Sequence, residues 1–246
     1  MKMDEHVKFY NEYGWVKIEN LFDEKEIKRA QQEIEGFVSQ ASKELGGREI
    51  NFVEDKINSI HKLEQSKWVD EIMRSKRIID FVSNFIGEKP QARKSELFIK
   101  PANIGLEVPV HQDNYYWGIE DSRGLTVWIA LDDCGEENGG IWYLSKSHLE
   151  GLLKHQKSFA PGSSQTIEAD DLPNHCEKVL PELKPGDALL HHCLTVHGSD
   201  PNRSGRSRRG WTMQFKAESS MYDPDIVSRY EKELKEQLVA RGQEPL

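Results

Sequence analysis

The sequence predicts one mainly β domain in which helices precede and flank a β-sandwich or β-barrel core. Residues 1–90 show helical periodicity interrupted by a short strand, whereas several short β-rich runs follow between residues 91 and 217. Each of these runs is bounded by Gly, Pro, Asn or Asp, which is the usual punctuation of antiparallel sheets. At 246 residues the chain is long enough to bury a substantial core, and all-β domains of this length are routinely single units.

The helix-rich part begins with a short helix and a strand. Asp4 to Tyr13 suits a helix that ends at Gly14, and Trp15 to Ile18 alternates as a half-buried strand does. Asp23 is the predicted N-cap of a second, amphipathic helix in which apolar residues recur at helical spacing. These apolar residues are Ile27, Ala30, Ile34 and Val38.

A third helix is predicted from Trp68 to Ile86, because Gly87 follows it directly and Pro90 lies just beyond. A polar helix on the surface is predicted from Asp223 to Arg241. The β-rich runs between the two are residues 96–100, 107–111, 125–131, 140–144, 188–192 and 211–215.

No repeat, low-complexity tract or linker divides the chain, so we expect a single domain over residues 1–246. Within it we distinguish a helix-rich N-terminal part (1–90), a β core (91–217) and a C-terminal helix and tail (218–246).

Charge and hydropathy narrow the choice of partners. The chain has 33 basic and 42 acidic residues, for a formal net charge of −9, and such a surface repels nucleic acid and anionic lipid. The dense basic run from Arg203 to Arg209 is ordinarily a solvated stretch. No stretch of 18 apolar residues exists, so no membrane span is predicted.

Cysteine usage predicts a reducing compartment. The three cysteines, Cys134, Cys176 and Cys193, are an odd number without CxxC spacing, which argues against a disulfide framework and a cysteine-based zinc site. The first residues contain an acidic side chain and no apolar core of a secretory signal. We therefore expect a cytoplasmic protein.

A candidate metal site starts at His111-Gln112-Asp113. On an extended strand, residues i and i+2 point to the same face, so His111 and Asp113 can meet one ion while Gln112 points away. His197, at the end of a strand-like run before Gly198, is the best third ligand. Two imidazoles and one carboxylate form the facial triad of non-heme iron(II) oxygenases, which leaves positions open for substrates. A lone HxD is weak evidence, because chance matches are common.

Further motifs strengthen the case. HQDNYYW (111–117) is followed by WIALDD (128–133), EENGG (136–140), SKSH (145–148) and HGSDPNRS (197–204), and the chain opens with FYNEYGWVKIENLF (9–22). In this order they resemble the phytanoyl-CoA dioxygenase family, over residues 8 to about 217. The resemblance implies a double-stranded β-helix (jelly-roll) core, bound iron(II), and 2-oxoglutarate and dioxygen as co-substrates.

The resemblance also implies site residues. His111, Asp113 and His197 fall on the iron ligands, and Arg208 falls on the arginine that receives the distal carboxylate of 2-oxoglutarate. A guanidinium suits that task, because it binds a carboxylate through two hydrogen bonds. Arg206 and Arg209 lie close enough to remain alternatives. The other residues expected to border 2-oxoglutarate are Ser199, Trp128 and Gln112.

Halogenases related to this family replace the carboxylate ligand by a small residue. Because Asp113 is present, the resemblance favours hydroxylation or a related oxidation over halogenation.

Several aromatic residues are candidates for the substrate pocket, although core packing explains aromatic residues equally well. They are Tyr115, Tyr116, Trp117, Trp142 and Trp211. His191 and His192 precede the second histidine ligand by several residues, and both are expected to support the site or the fold without binding the metal, with His192 the one toward the interior at best. Lys100 matches a family position but suits an exposed lysine equally well.

Together these observations predict an iron(II)- and 2-oxoglutarate-dependent dioxygenase that oxidises a C–H bond of a small molecule and releases succinate and CO2. The alternative is a non-catalytic jelly-roll sensor or binding module for metal or 2-oxoglutarate, which would lack the co-substrate arginine. A nucleic-acid demethylase is disfavoured by the net charge of −9. The sequence identifies neither the substrate nor an oligomeric state.

Overall fold

The computed structural model describes residues 2–44, 49–160 and 163–240, and the predicted tail 241–246 lies outside these ranges. Two antiparallel sheets pack face to face, and helices cover the outer face of the larger one. This is the predicted mainly β, jelly-roll architecture with flanking helices. Within the described ranges, no helix combines the length and apolar character needed to cross a bilayer.

The helices are α1 (Met3–Tyr13), α2 (Glu24–Glu44), α3 (Lys67–Met73), α4 (Lys76–Ile86), α5 (Asp113–Trp117) and α6 (Pro224–Ala240). The strands are β1 (Trp15–Ile18), β2 (Ile50–Val53), β3 (Lys56–Ile60), β4 (Pro90–Lys100), β5 (Val108–His111), β6 (Gly124–Ala130), β7 (Ile141–Leu144), β8 (Gln156–Ala160), β9 (Ser163–Thr166), β10 (Lys178–Val179), β11 (Ala188–His192), β12 (His197–Ser199) and β13 (Arg208–Ala217).

The larger sheet has seven strands in the order β1-β11-β6-β13-β4-β3-β2, and the smaller has four in the order β10-β7-β12-β5. Strands β8 and β9 form a separate hairpin. Three strands of the larger sheet, β1 to β3, come from residues 1–90. The helix-rich part of the sequence therefore also builds the sheet that carries the site.

Alternation along β6 shows how this sheet separates two environments. Leu125, Val127 and Ile129 pack with the helices in the main core, while Trp128 and Ala130 face the smaller sheet. Because successive side chains on a strand point to opposite faces, one strand serves both layers. The face toward the smaller sheet is the one that carries the site.

The predicted N-terminal elements are confirmed. Helix α1 ends at Gly14, whose φ of +79° is left-handed, and a Cβ there would lie 2.4 Å from Nδ1 of His148. Helix α2 begins after Asp23, whose Oδ1 accepts hydrogen bonds from the backbone N–H groups of Lys25 and Glu26.

Two helical expectations differ from the structure. The predicted helix from Trp68 to Ile86 is broken into α3 and α4, because Ser75 is extended and its hydroxyl caps α4 by accepting from the N–H of Ile78. The C-terminal helix α6 is not a plain surface helix, because its inner face contacts α5 and lines the cavity described below. The polar composition of this helix did not predict the contact.

Candidate metal centre

His111 and Asp113 lie on either side of a change in secondary structure. His111 is the last residue of β5 and Asp113 the first of α5, so the expectation that both lie on one strand is wrong. Their side chains converge nevertheless, since Gln112 between them keeps an extended backbone with φ −120° and ψ 133°. The distance from Nε2 of His111 to Oδ1 of Asp113 is 3.7 Å.

His197 comes from the next strand of the smaller sheet. It begins β12, which pairs with β5, and the register places it directly opposite His111. Its Nε2 also lies 3.7 Å from Oδ1 of Asp113, and potential ligand atoms of all three residues lie within 4.8 Å of one another. The three predicted ligands therefore meet at one point.

Both imidazoles are oriented by backbone carbonyls. Nδ1 of His111 is 2.7 Å from the carbonyl oxygen of Pro109, and Nδ1 of His197 is 2.9 Å from that of Thr195. Since a carbonyl only accepts, each ring carries its proton on Nδ1 and turns the lone pair of Nε2 toward Asp113. Burial, together with the neighbouring histidines, lowers the pKa of His197 well below its usual value, so this ring is neutral at neutral pH.

Asp113 is ionised, and its two carboxylate oxygens have different partners. Burial opposes its charge, but the surrounding histidines, with a hydrogen bond from the Nε2–H of His191, outweigh burial and hold the pKa of Asp113 well below its usual range. Its Oδ2 accepts a 2.6 Å hydrogen bond from the hydroxyl of Thr126 and lies 3.2 Å from Nε2 of His191. Oδ1 faces the two histidines. Two neutral imidazole nitrogens and one carboxylate oxygen are the donor set of a non-heme iron(II) site, so the residues fit that ion.

His191 supports the carboxylate from β11. Its Nε2 faces Asp113 and its Nδ1 accepts a 2.9 Å hydrogen bond from the hydroxyl of the fully buried Tyr143. The expectation that His192 points inward is wrong, because alternation on β11 turns His192 to the other face, beside Tyr10. Of the two histidines expected to have a supporting or structural role, it is His191 that contacts Asp113, across the sheet.

We expect His191→Ala to weaken metal binding about 10- to 100-fold, because outer contacts that orient a ligand have effects of this size. The measurement is a titration with Co(II), followed by its absorption spectrum. Tyr143→Phe should cause a smaller loss in the same direction, since His191 keeps its contact with Asp113. Equal Co(II) affinity in wild type and His191→Ala would contradict the positioning role.

The three candidate ligands lie in the wall of a cavity of about 480 Å³ between the two sheets. Strands of both sheets supply most of its lining, and α6 closes one side with Tyr230, Leu234 and Leu238. A cavity of this size suits a small molecule.

Arg208 lines the same cavity. The side chain is 2% exposed, its guanidinium lies 5.2 Å from the ring centre of Trp128, and it donates a hydrogen bond to the carbonyl of Gly139. Its Nε has no hydrogen-bond partner in the described part of the chain. A buried cation with an unused N–H is a ready site for an anion. Ser199, also expected near 2-oxoglutarate, lines the cavity as well.

The neighbouring arginines point elsewhere. Arg206 is exposed and pairs with Glu137, while Arg209 lies on the outer face of β13 and contacts Asp132 at 2.8 Å. Because alternate residues on β13 face opposite ways, only Arg208 of the three lines the cavity.

Lys100 lies opposite Arg208 on β4 and is buried, so it is not an exposed lysine. Its Nζ donates to the carbonyls of Leu106 at 2.7 Å and of Ser199 at 3.1 Å. Burial and the charge of Arg208 lower the pKa of Lys100 to about 6. Lys100 ties the end of β12 to β4 behind the cavity wall.

Three predicted site residues do not line the cavity. The carboxamide of Gln112 donates to the carbonyls of Gly151 and Leu194 at 2.8 and 2.7 Å, so it fastens a loop away from the cavity. Tyr115 stacks on His155, and Trp142 packs across Gly198 outside the cavity.

Trp211 also lies elsewhere, in the main core on the opposite face of β13. Its indole N–H donates to the hydroxyl of Ser95 at 2.8 Å, and its ring packs near Phe22 and Trp68. Of the five aromatic candidates for the substrate pocket, Tyr116 and Trp117 line the cavity.

Other cavity residues carried no signal in the sequence, because they come from separate strands and a distant helix. They are His61, Arg93, Glu96, Gln214 and Tyr230.

Comparison with known proteins gives a consistent result. Residues 10–210 match the family model of phytanoyl-CoA dioxygenase (PhyH). The chain is 27% identical over 211 residues to a protein of Stutzerimonas stutzeri named probable alpha-ketoglutarate-dependent hypophosphite dioxygenase, covering 81% of this chain and 73% of that protein. It is 24% identical to the peroxisomal phytanoyl-CoA dioxygenase of Bos taurus, over 96% of this chain and 74% of the relative.

Solved structures agree. The non-heme alpha-ketoglutarate-dependent carbocyclase SnoK from nogalamycin biosynthesis superimposes with a TM-score of 0.72 at 26% identity, covering 89% of this chain and 86% of that one. EctD from S. alaskensis with bound Fe superimposes with a TM-score of 0.73 at 20% identity, covering 92% and 83%, and this likeness shows the shared fold.

Proposed function

The chain belongs to the phytanoyl-CoA dioxygenase family and is a non-heme iron(II), 2-oxoglutarate-dependent dioxygenase, and from this premise we propose that it oxidises a C–H bond of a small molecule, with release of succinate and CO2. The observation that supports this reaction is the joint placement of the triad His111, Asp113 and His197 and of Arg208 in one cavity.

In this proposal His111, Asp113 and His197 hold iron(II). The carboxylate of Asp113 offsets part of the charge of the ion, and the two histidines are already oriented by Pro109 and Thr195. Bound iron, together with 2-oxoglutarate and dioxygen, supplies the oxidising power. The protein's own contribution is to orient these groups and the substrate.

Arg208 would receive the distal carboxylate of 2-oxoglutarate. Its guanidinium is held against Trp128 and keeps an unused Nε–H, so a carboxylate gains a hydrogen-bonded cation without displacing an existing ion pair. Ser199 lines the same end of the cavity and would add its hydroxyl as a donor. The buried Arg208 favours this enzyme over the alternative sensor, which would lack a co-substrate arginine.

The side chains that line the cavity would limit the access of water to the reacting bond. Tyr116, whose ring centre lies 5.6 Å from that of His111, and Trp117 line the cavity, and Tyr230, Leu234 and Leu238 of α6 form one side of it. These apolar and aromatic side chains would pack against a small molecule beside the metal and displace water from the reacting bond. One relative is named for hypophosphite and another for phytanoyl-CoA, so their names indicate no common substrate and we propose neither.

The test is succinate release. We expect the purified protein with iron(II), ascorbate and 2-oxoglutarate to release succinate slowly by itself and at least about 10-fold faster when a panel of small metabolites includes the true substrate. Chelation of iron should stop both rates. Iron and 2-oxoglutarate binding with no succinate release across the panel would favour the sensor.

A further inference from the structure

Strand β4 has a β-bulge beside the cavity. In its pairing with β13, Met213 lies opposite Ser95 and Phe215 lies opposite Ala92, so Arg93 and Lys94 share the space opposite Gln214. A bulge breaks the alternation that would send two successive side chains to opposite faces. Both Arg93 and Lys94 accordingly line the cavity.

The charges around this bulge do not cancel. Nδ1 of His61 lies 2.5 Å from Glu96, and Nζ of Lys62 lies 2.5 Å from Glu49. All four of these side chains line the same region of the cavity. Arg93 and Lys94 are the other cations of this wall. Among residues 2–44, 49–160 and 163–240, neither side chain has a carboxylate oxygen within 4.0 Å. In a chain with net charge −9, this wall has a local positive surplus.

Arg93 is held in place and keeps its hydrogen-bonding capacity. Its guanidinium lies 4.5 Å from the ring centre of Trp117 and 5.8 Å from that of Tyr222. Its hydrogen bonds to Oε1 of Gln214 and the hydroxyl of Tyr222 are both long, at 3.4 Å. Stacking fixes the plane of the guanidinium without using its N–H groups, so an oxyanion can bind them.

The spacing of the sheet places Arg93 at a useful distance from the triad. Gln214 pairs with Thr126, and the hydroxyl of Thr126 donates to Asp113. Because neighbouring strands lie about 4.8 Å apart, two strand steps separate Arg93 from the triad side of the sheet by roughly 10 Å. A small molecule spans that distance.

We infer that the substrate carries an oxyanion, a carboxylate or a phosphonate or phosphate group, which Arg93 binds with support from Lys94. The body of such a substrate packs against Tyr116, Trp117 and Tyr230, with its reactive C–H bond toward the triad. This inference rests on the proposed function, since it assigns the substrate end of the same cavity.

The experiment compares charged molecules with neutral ones of the same shape. The protein is saturated with Mn(II) and 2-oxoglutarate, so that Arg208 is occupied and no turnover occurs, and binding is measured by calorimetry. The probe pairs are acetate with acetamide and phenylacetate with phenylacetamide, and methylphosphonate and benzylphosphonate distinguish the two kinds of oxyanion. In wild type we expect the anion of at least one pair to bind about 10- to 100-fold more tightly than its amide.

Three variants complete the design. Arg93→Gln should remove the preference for the anion, Arg93→Lys should retain part of it, and Lys89→Gln should leave it unchanged, because Lys89 is exposed and pairs with Glu218. If Arg93→Gln also loses 2-oxoglutarate binding, the substitution has disturbed the whole cavity, and Arg93→Lys then decides.

The inference is overturned if wild type binds no anion more tightly than its amide, or if Arg93→Gln retains the full wild-type preference for the anion. If Arg93→Gln has lost 2-oxoglutarate binding, full wild-type preference in a folded Arg93→Lys overturns the inference instead. The proposed function fails separately, when wild type does not bind 2-oxoglutarate in the same titrations.

Discussion

Replacing Asp113 by alanine should abolish iron-dependent succinate release while the chain remains folded. The change removes the anionic ligand and leaves two neutral histidines, so iron(II) binding should fall by more than the roughly 10- to 100-fold caused by losing an outer contact. Thr126 and His191 lose their acceptor, which costs about 1–3 kcal/mol of the free energy of unfolding, less than the total stability of an ordinary domain.

The measurements are succinate release at saturating iron(II), Co(II) affinity and thermal unfolding. Asp133→Ala is the matched control, because Asp133 is an exposed aspartate whose Oδ2 lies 3.9 Å from the guanidinium of the exposed Arg206. Full activity in Asp113→Ala would remove the ligand assignment.

The second large effect is expected from Arg208→Ala, which should raise the 2-oxoglutarate concentration needed for half-maximal succinate release by about 100-fold. A hydrogen-bonded, buried pair between a guanidinium and a carboxylate is among the strongest polar contacts in proteins. The effect on the maximal rate should be smaller, because Arg208 binds the end of 2-oxoglutarate that does not react.

Two neighbouring substitutions provide the controls for this prediction. Arg206→Ala and Arg209→Ala remove the same charge from the same segment, yet both side chains pair with carboxylates outside the cavity. They should change the requirement for 2-oxoglutarate less than about twofold, because neither side chain lines the cavity in which 2-oxoglutarate would bind. If Arg208→Ala keeps the wild-type affinity for 2-oxoglutarate and either Arg206→Ala or Arg209→Ala loses it, that arginine is the one that binds the distal carboxylate.

The residues proposed to bind the substrate and to support the metal site are far apart in the sequence, and no sequence pattern predicts that they meet. Arg93 acts from a bulge that exists only because β4 pairs with β13 out of step, and His191 reaches Asp113 from a different strand. The polar composition of helix α6 predicts a solvated helix, but the helix forms part of the cavity wall because it packs against α5.

The sequence by itself determined the mainly β architecture with flanking helices and the identity of the three residues that meet at the candidate metal site. Strand alternation and helix stops act over a few residues, so local patterns are sufficient for the architecture. The HxD pair alone is weak evidence, and the three residues were identified because the ordered motifs that span most of the chain resemble those of the phytanoyl-CoA dioxygenase family. Only the tertiary structure decided that Arg208 faces the cavity while Arg206 and Arg209 do not, that His191 supports Asp113, and that Gln112, Tyr115, Trp142 and Trp211 lie outside the cavity. The physical reason is that the direction of a side chain depends on strand register and on partners far away in the chain, and neither is written in the local sequence.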